Sequence, residues 1–259
     1  MYTKIKVITK LSVANDVVRR ILMLDPPIIG VSGKGVPFNN LETITLVTVV
    51  TLHGEVFIFD IRKNRDLMIS GGVGRVLQSK ELKKVLHDGN EFNLALRRQF
   101  GVRIQNVFDT QVAYSLIMQT QGLPPRFIHV RDAYVKYGGV KEDIDPATRQ
   151  LMSEDPNFWS RRPLSKVAQR VAAMDTIPLL PTLYDALNRE ITADIRALFE
   201  HMSEDNVRPL SMRRQRTRTA EKAEADEMRR LRTDTKSPIL KLNKSQEKML
   251  QYTVPYCER

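Results

Sequence analysis

The spacing of apolar residues in the first half of the chain alternates between that of strands and that of helices. Stretches rich in β-branched and aromatic residues predict strands at 28–31, 43–52 and 55–61. The second stretch mixes alternation with a continuous apolar run, as a central strand with two covered faces does. Further strands are predicted at 4–11, at 83–87 and from residue 107. Strands that alternate with helices in this way indicate the α/β class.

Helical spacing appears between these strands and dominates the second half. In the first half we predict a short helix capped by Ser12 or Asn15, and helices over 68–77 and 90–100. In the second half a shared apolar face predicts a helix over 127–137, and further helices follow at 146, over 164–174 and over 183–202. Residues 1–205 are therefore predicted to form one α/β domain with a mixed sheet and a helical subdomain. Residues 206–259 form a distinct tail, in which 219–231 fits a charged helix.

The composition limits the classes of protein that the chain can represent. Its 259 residues are 42% hydrophobic, which is enough to bury one sizeable core. No apolar run approaches the ~18 residues of a membrane span, and the first residues lack the apolar segment of a secretory signal, so we expect no membrane insertion. Cys257 is the only cysteine, and four scattered histidines do not complete a zinc framework. We expect a reducing compartment inside the cell.

Positive charge is concentrated towards the end of the chain. The formal charge is +11, and residues 206–259 carry fourteen Lys or Arg against seven Asp or Glu. A basic tail favours a polyanion such as RNA, because binding releases counterions. The densest cluster of the tail is predicted to contact phosphates and comprises Arg213, Arg214, Arg216 and Arg218. The alternative is a solvated tail without a partner.

The segment GVSGKG at 30–35 carries the strongest indication of a family. Three further segments accompany it, namely VLHDGN at 85–90, NVFDTQ at 106–111 and FWSRRPL at 158–164. Together they resemble the motifs of the RNase D-like (DEDDy) 3′–5′ exonucleases, over residues 28–183. In that family the first motif reads glycine, an apolar residue, Asp, any residue, Glu and glycine. The resemblance implies an RNase H-like 3′–5′ exonuclease fold with a mixed sheet.

The resemblance also indicates which catalytic groups are replaced. In the family four acids hold two divalent metals, and a tyrosine helps to place the nucleophile. Ser32 and Lys34 stand at the first two acid positions, Phe92 at the third and Val171 at the tyrosine, whereas Asp175 retains the fourth acid. A lysine supplies a cation where a ligand is needed, and two hard cations need several oxygen ligands. The resemblance therefore implies a pseudo-exonuclease with no metal, cofactor or catalytic residue.

The remaining acid leads to two expectations and one alternative. Lys34 is expected to form an ion pair with Asp175 that fills the space of the metals, and Lys34 is also a candidate contact for RNA. Phe92 is expected to be packed, in the direction of the lost third acid. The alternative is an active, diverged metal-dependent exonuclease whose acids are Asp88, Glu91 and Asp175.

Other residues near the motifs admit two interpretations each. Asp109 could be a catalytic acid or the cap of the following helix, and we favour the cap. His87 could be a general base or a hydrogen-bonded structural residue, and we favour the structural role. Trp159 could stack on a base or anchor its segment to the core, and we favour the anchor. Arg161 and Arg162 could hold phosphates, and we name both as candidate RNA ligands.

Within the family, the motifs are most similar to those of exonuclease-domain members of the animal piRNA pathway. This resemblance implies an adaptor that binds single-stranded RNA without cleaving it. It also implies a homodimer, which we expect to form through the body, with Tudor-domain partners and a cytoplasmic location in perinuclear germ granules. The Egalitarian-like group, which links messenger RNA to transport machinery, resembles the chain less closely. A protein scaffold with a closed groove is a further alternative.

Overall fold

The computed structural model describes residues 4–38, 41–140 and 144–207. The chain divides after Arg208, and the helices and strands described below lie in the first compact unit, Met1–Arg208. The tail helix predicted at 219–231 and the four tail arginines lie outside the described residues. Among the helices that are described, none combines the length and the apolar character needed to cross a lipid bilayer.

A six-stranded mixed sheet forms the centre of this unit and confirms the predicted α/β class. Its strands are β1 (Ile5–Ile8), β2 (Ile28–Phe38), β3 (Leu41–Thr51), β4 (Val56–Asp60), β5 (Lys83–Leu86) and β6 (Val107–Asp109). They lie in the order β1-β4-β3-β2-β5-β6. β2, β3 and β4 pair in antiparallel fashion, whereas β1, β5 and β6 are joined to the sheet by parallel pairing. The long strands β2 and β3 are therefore central.

Helices follow the strands and then fill the second half of the unit. They are α1 (Leu11–Leu22), α2 (Val73–Gln78), α3 (Asn90–Phe100), α4 (Thr110–Thr120), α5 (Val130–Lys136), α6 (Pro146–Glu154), α7 (Lys166–Met174), α8 (Thr182–Glu190) and α9 (Ala193–Asn206). Short 3-10 turns lie at Arg65–Leu67 and Ile177–Leu179. The helix predicted over 68–77 is thus confined to its second half.

Two further predicted helix starts differ from the structure. α1 begins at Leu11, so neither Ser12 nor Asn15 caps it. The helix predicted over 127–137 is limited to α5, and Phe127 lies before it with 55% of its surface exposed. The side chain of Gln111 explains the later start, because its amide donates to the carbonyl of residue 126 (2.9 Å) and accepts from the amide of residue 128 (3.0 Å). These bonds hold the backbone in a non-helical conformation.

The single helix predicted over 183–202 is in fact two helices, α8 and α9, which are separated at Ile191 and Thr192. Both separating residues are β-branched and have an extended backbone. Arg196 donates to the carbonyls of Asn188 (3.1 Å) and Ile191 (2.6 Å), and so satisfies acceptors at the end of α8. The apolar spacing continues across the break, which is why the sequence pattern does not reveal it.

The sheet separates two apolar cores. On one face α1, α2 and α3 cover a core that includes Ile29 and Val31 of β2. On the other face α4, α8 and α9 contribute to a second core. Because successive side chains of a strand point to opposite faces, Gly30, Ser32 and Lys34 lie on this second face. β2 therefore presents the GVSGKG segment at 30–35 to the helices of the second half.

A bulge in β3 lies opposite the motif. Lys34 pairs with Leu46, but Gly35 pairs with Ile44, which leaves Thr45 as an additional residue on β3. The hydroxyl of Thr45 donates to the carbonyl of Lys34 at 3.0 Å. This bond fixes the backbone at Lys34 relative to β3.

A buried ion pair attaches the segment between α6 and α7 to β4. Arg162 donates from Nε (2.8 Å) and Nη2 (2.6 Å) to Oδ1 of Asp60, which is 2% exposed. Arg162 also donates to the carbonyl of Trp159 at 3.1 Å. The guanidinium that we named as a candidate RNA ligand is thus engaged inside the protein. The structure favours a role in holding this segment over a contact with phosphate.

We expect Arg162→Ala to lower the free energy of unfolding by about 3–5 kcal/mol, because it leaves Asp60 as an unpaired buried charge. The matched control is Arg19→Ala, since Arg19 is 70% exposed and pairs with Asp16, which is 69% exposed. This control should change the free energy of unfolding by less than about 0.5 kcal/mol. Denaturant titration measures both values. Equal stabilities of the two variants would contradict the structural role of Arg162.

Candidate functional site

The second face of β2 meets the end of α7 at the altered motif. A Cβ atom at Gly30 would lie 2.6 Å from Cγ1 of Val50 and 3.1 Å from Cβ of Leu179, so only glycine permits this approach. Ser32 Oγ lies 2.5 Å from Oγ1 of Thr176. Because the Thr176 hydroxyl donates to a carbonyl of α7 at 2.9 Å, Ser32 is the donor in this pair. Ser32, which the resemblance assigns to the first acid position, is therefore part of a structural hydroxyl pair.

An ion network includes Lys34 and Asp175, which the resemblance assigns to the second and fourth acid positions. Lys34 Nζ lies 2.5 Å from Oδ2 of Asp175, which confirms the predicted ion pair. Arg131 Nε lies 2.8 Å from Oδ1 of the same carboxylate. The indole ring of Trp159 covers Lys34, with 5.3 Å between Nζ and the ring centroid. We call Lys34, Arg131 and Asp175 the Asp175 network.

The charges of the network are largely withdrawn from solvent. The side chains of Lys34, Arg131 and Asp175 are 20%, 25% and 10% exposed. Burial by itself would raise the pKa of Asp175, but the two cations outweigh it and hold the pKa of this carboxyl below its ordinary value. Asp175 is therefore ionised at neutral pH, and the network carries one excess positive charge.

Phe92 and Val171 do not join this network. A Cβ atom at Gly33 would lie 2.3 Å from the ring of Phe92, so the ring covers Gly33 on the face opposite to Ser32 and Lys34. Phe92 also packs against the core beneath α1, α2 and α3. The prediction that Phe92 is packed is confirmed, and its ring lies against Gly33. Val171 is 2% exposed and packs with Trp159, which agrees with an anchoring role for the tryptophan.

The residues at this position do not fit the two divalent metals that the family motif implies. Such ions need several oxygen ligands, whereas the only acid at this position is already bonded to an ammonium and a guanidinium. In the part of the chain that the structure describes, no three His, Cys, Asp or Glu side chains form a group that could hold a metal. This finding includes Asp88 and Glu91, which the alternative interpretation combined with Asp175.

Asp109 has a structural role, as we predicted. Its carboxylate caps α4 by accepting from the Gln111 amide (2.9 Å), and it accepts from the amides of Asp88 and Gly89 (3.0 Å each). Both ring nitrogens of His87 also have hydrogen-bond partners, Thr110 Oγ1 and the carbonyl of residue 128, at 2.8 Å each. Asp109 therefore joins the start of α4 to the turn between β5 and α3.

A cavity of about 380 Å³ adjoins the Asp175 network on the side of Arg131. We call it the α5–α7 pocket, because it lies between these two helices. Its lining includes His129 before α5, Arg131 and Tyr134 of α5, Arg149 of α6 and Met174 of α7. His129 accepts from the amide of Arg131 at 3.3 Å through Nδ1, and partial burial lowers the pKa of its imidazole. The sequence analysis did not single out His129, Arg131 or Arg149, because they belong to none of the motifs.

The remaining predicted RNA ligands differ in accessibility. Arg161 is exposed and lies 3.0 Å from Asp155. Lys34 is mostly covered and is bonded to Asp175. The tail residues Arg213, Arg214, Arg216 and Arg218 lie outside the described residues. The structure therefore brings together Ser32, Lys34 and Asp175, and it adds Arg131.

Known proteins resemble this chain in sequence and in structure. A homologue of the Egalitarian protein from Caenorhabditis elegans is 27% identical over 210 residues, which are 76% of this chain and 36% of the homologue. The piRNA biogenesis protein EXD1 of Homo sapiens is 31% identical over 157 residues, 58% of this chain and 30% of that protein. The chain thus spans about a third of the length of each of these two relatives.

The fold resembles that of RNase D. The crystal structure of Trypanosoma brucei RNase D in complex with RNA U12 superposes with a TM-score of 0.66 at 20% identity, over 78% of this chain and 69% of that one. The predicted RNase H-like exonuclease fold is thereby confirmed. A family model described as 3′–5′ exonuclease matches residues 39–192, more than half of the chain. The chain therefore belongs to the 3′–5′ exonuclease family and resembles its RNase D-like members, EXD1 among them.

Proposed function

We propose that this chain is an RNA-binding adaptor built on a 3′–5′ exonuclease domain that does not cleave. The observation that carries the proposal is the Asp175 network, in which Lys34 and Arg131 use both oxygens of the one remaining acid. Metal-dependent cleavage needs carboxylates that are free to bind two cations. A carboxylate with two protein cations as partners supplies no such ligand.

The same arrangement favours binding of an anion. The network brings two cations and one carboxylate to the face of β2, so that it attracts phosphate rather than a metal ion. Arg161 adds an exposed guanidinium on the segment that carries Trp159. A structural relative, RNase D of Trypanosoma brucei, is known in complex with RNA U12, which makes RNA the natural candidate ligand. We therefore assign single-stranded RNA to this surface.

We place the adaptor in piRNA biogenesis, on the strength of the similarity to EXD1. In this proposal the chain acts as a homodimer through its body, with Tudor-domain proteins as partners in cytoplasmic, perinuclear germ granules. The second candidate is an Egalitarian-like adaptor for messenger RNA, which the C. elegans homologue favours because its similarity covers more of the chain. Sequencing of RNA crosslinked to the protein in cells separates the two, since the first predicts small RNAs and the second predicts messenger RNA.

We expect the chain to bind single-stranded RNA without shortening it, both with Mg²⁺ or Mn²⁺ and with a chelator. The reason is that Lys34 and Arg131 supply positive charge at the position where the family motif implies metals. One preparation serves for both measurements, namely gel analysis of a 5′-labelled RNA and a binding titration. Metal-dependent shortening from the 3′ end that disappears in Asp175→Asn would replace the adaptor with an active exonuclease. Absence of both cleavage and binding would favour the protein scaffold.

We expect Asp175→Asn to lower the free energy of unfolding by about 3–5 kcal/mol at neutral pH, because two partly buried cations lose their counter-charge. The pKa of Asp175 is lower in the folded than in the unfolded state, so its stabilisation is complete above about pH 4 and is lost as the pH falls through the folded pKa. The difference in the free energy of unfolding between the unchanged protein and Asp175→Asn should therefore shrink below about pH 4. Denaturant titrations at several pH values measure it.

The control for this experiment is Asp16→Asn. Asp16 pairs with Arg19 at 3.5 Å, and both side chains are about 70% exposed. Removal of this surface charge should change the free energy of unfolding by less than about 0.5 kcal/mol. A loss in Asp175→Asn that is equally small, or that stays constant down to the lowest pH, would mean that the network does not stabilise the fold.

We expect the tail to add attraction for RNA that depends on salt. Replacement of Arg213, Arg214, Arg216 and Arg218 with Ser should flatten the slope of log K against log salt by up to ~3, because each phosphate contact on a single strand contributes about −0.7. Binding titrations at several salt concentrations measure the slope. The comparison is Arg161→Ser in the body, which should flatten the slope by ~0.7 at most. An unchanged slope in the tail variant would confine RNA binding to the body.

A further inference from the structure

The α5–α7 pocket has a chemical character that the ion network alone does not explain. Its volume of about 380 Å³ lies at the lower end of the range for small-molecule sites, which run from about 300 to 1,000 Å³. Met174, Ile177 and Pro178 give it an apolar wall at the end of α7, and Tyr134 lies on the α5 side. The pocket therefore combines apolar surface with two guanidinium groups, those of Arg131 and Arg149.

The two arginines have donors to offer to a ligand. Within the described residues, Arg131 uses its Nε–H for Asp175 and Arg149 uses Nη2 for the carbonyl of Ile144 at 3.2 Å. A guanidinium carries five N–H groups, so each side chain retains several donors. The remaining donors suit the bidentate pattern by which arginine binds phosphate oxygens. Asp132 also lines the pocket, and as an acceptor it suits a hydroxyl or an amino group.

The ring of Tyr134 is held in place on the wall of the pocket. A Cβ atom at Gly139 would lie 2.4 Å from Cδ2 of Tyr134, so glycine is required for the ring to lie against the backbone there. His129 contributes a donor, because its Nδ1 accepts from the Arg131 amide and the proton of the neutral ring is therefore on Nε2. An immobilised aromatic ring next to cationic groups is the combination by which proteins bind unstacked bases.

We propose that the α5–α7 pocket binds one unstacked nucleotide, with its phosphate on Arg131 and Arg149 and its base against Tyr134 and Met174. This inference rests on the RNA-binding function proposed above and assigns it a specific subsite. A mononucleotide unites one phosphate with one flat, largely apolar base, which matches the two arginines and the apolar wall. The volume admits one nucleotide rather than a longer segment. Because Arg131 also holds Asp175, the bound phosphate lies next to the Asp175 network and needs no metal ion.

Isothermal titration with defined probes tests this subsite. The probes are uridine and adenosine 5′-monophosphates, with uridine and inorganic phosphate for comparison, all in the presence of a chelator. We expect the monophosphates to bind more tightly than either part alone. Arg149→Ala should weaken their binding at least about tenfold, since it removes charged hydrogen bonds. Tyr134→Leu should also weaken it, because the leucine remains apolar but cannot stack.

The matched control is Arg189→Ala on α8. Arg189 is exposed and donates to the carbonyl of Asp185 at 2.9 Å, just as Arg149 donates to a nearby carbonyl, but it does not line the pocket. Thermal unfolding of each variant establishes that the protein remains folded. Nucleotide binding that is unchanged in Arg149→Ala and in Tyr134→Leu would overturn the proposal. Inorganic phosphate that binds as tightly as the monophosphates would also overturn it, because the base would then contribute nothing.

The same variants titrated with a single-stranded RNA oligonucleotide separate this inference from the proposed function. If the RNA binds but the mononucleotides do not, the pocket assignment fails and the adaptor function stands. If the mononucleotides bind and the RNA does not, the pocket is a nucleotide site and the adaptor function fails. Binding of both, weakened together by Arg149→Ala and not by Arg189→Ala, is the result that we expect.

Discussion

The arrangement around the GVSGKG segment of β2 depends on the ion pairs of Asp175. Lys34 and Asp175 are 141 positions apart in the chain, and Arg131 comes from a third segment, so the network joins β2, α5 and the end of α7. A carboxylate that is 90% covered is stable as an anion only when opposite charges and hydrogen bonds compensate for lost hydration. The two cations meet this requirement and, by doing so, occupy the acid that a metal would need.

The other buried acids of the unit serve the architecture in the same manner. Asp60 binds Arg162 and so attaches the segment between α6 and α7 to the sheet. Asp109 accepts from backbone amides at the start of α4 and before α3. Each carboxylate therefore holds two segments together, and each has its hydrogen-bonding capacity used within the protein. In this fold, whose relatives include exonucleases, fixed protein cations thus neutralise two of these three acids, Asp60 and Asp175.

The parts of the fold that the sequence predicts are those that depend on neighbouring residues. The periods of two and 3.6 place the strands and most helices correctly, because burial of one face is a local property of the pattern. The cap at Asp109 follows from its position directly before α4. The break between α8 and α9 depends on the side chain of Arg196, which donates to the carbonyl of Ile191. The late start of α5 depends on the side chain of Gln111, which donates to the carbonyl of Arg126. Periodicity contains no information on such bonds.

By itself, the sequence indicated, through its resemblance to the motifs of the family, that Lys34 stands at the position of a metal-binding acid and that Asp175 retains another. It also indicated the pair of Lys34 with Asp175, because both positions belong to one motif set. Only the tertiary structure decided that Arg131 completes the network and that Arg162 is buried against Asp60. It also decided that Phe92 lies on the opposite face of β2. The physical reason is that an ion pair or a packed ring forms only where distant segments of the chain meet on the same face of the sheet. The order of residues along the chain does not specify which segments meet or on which face they do so.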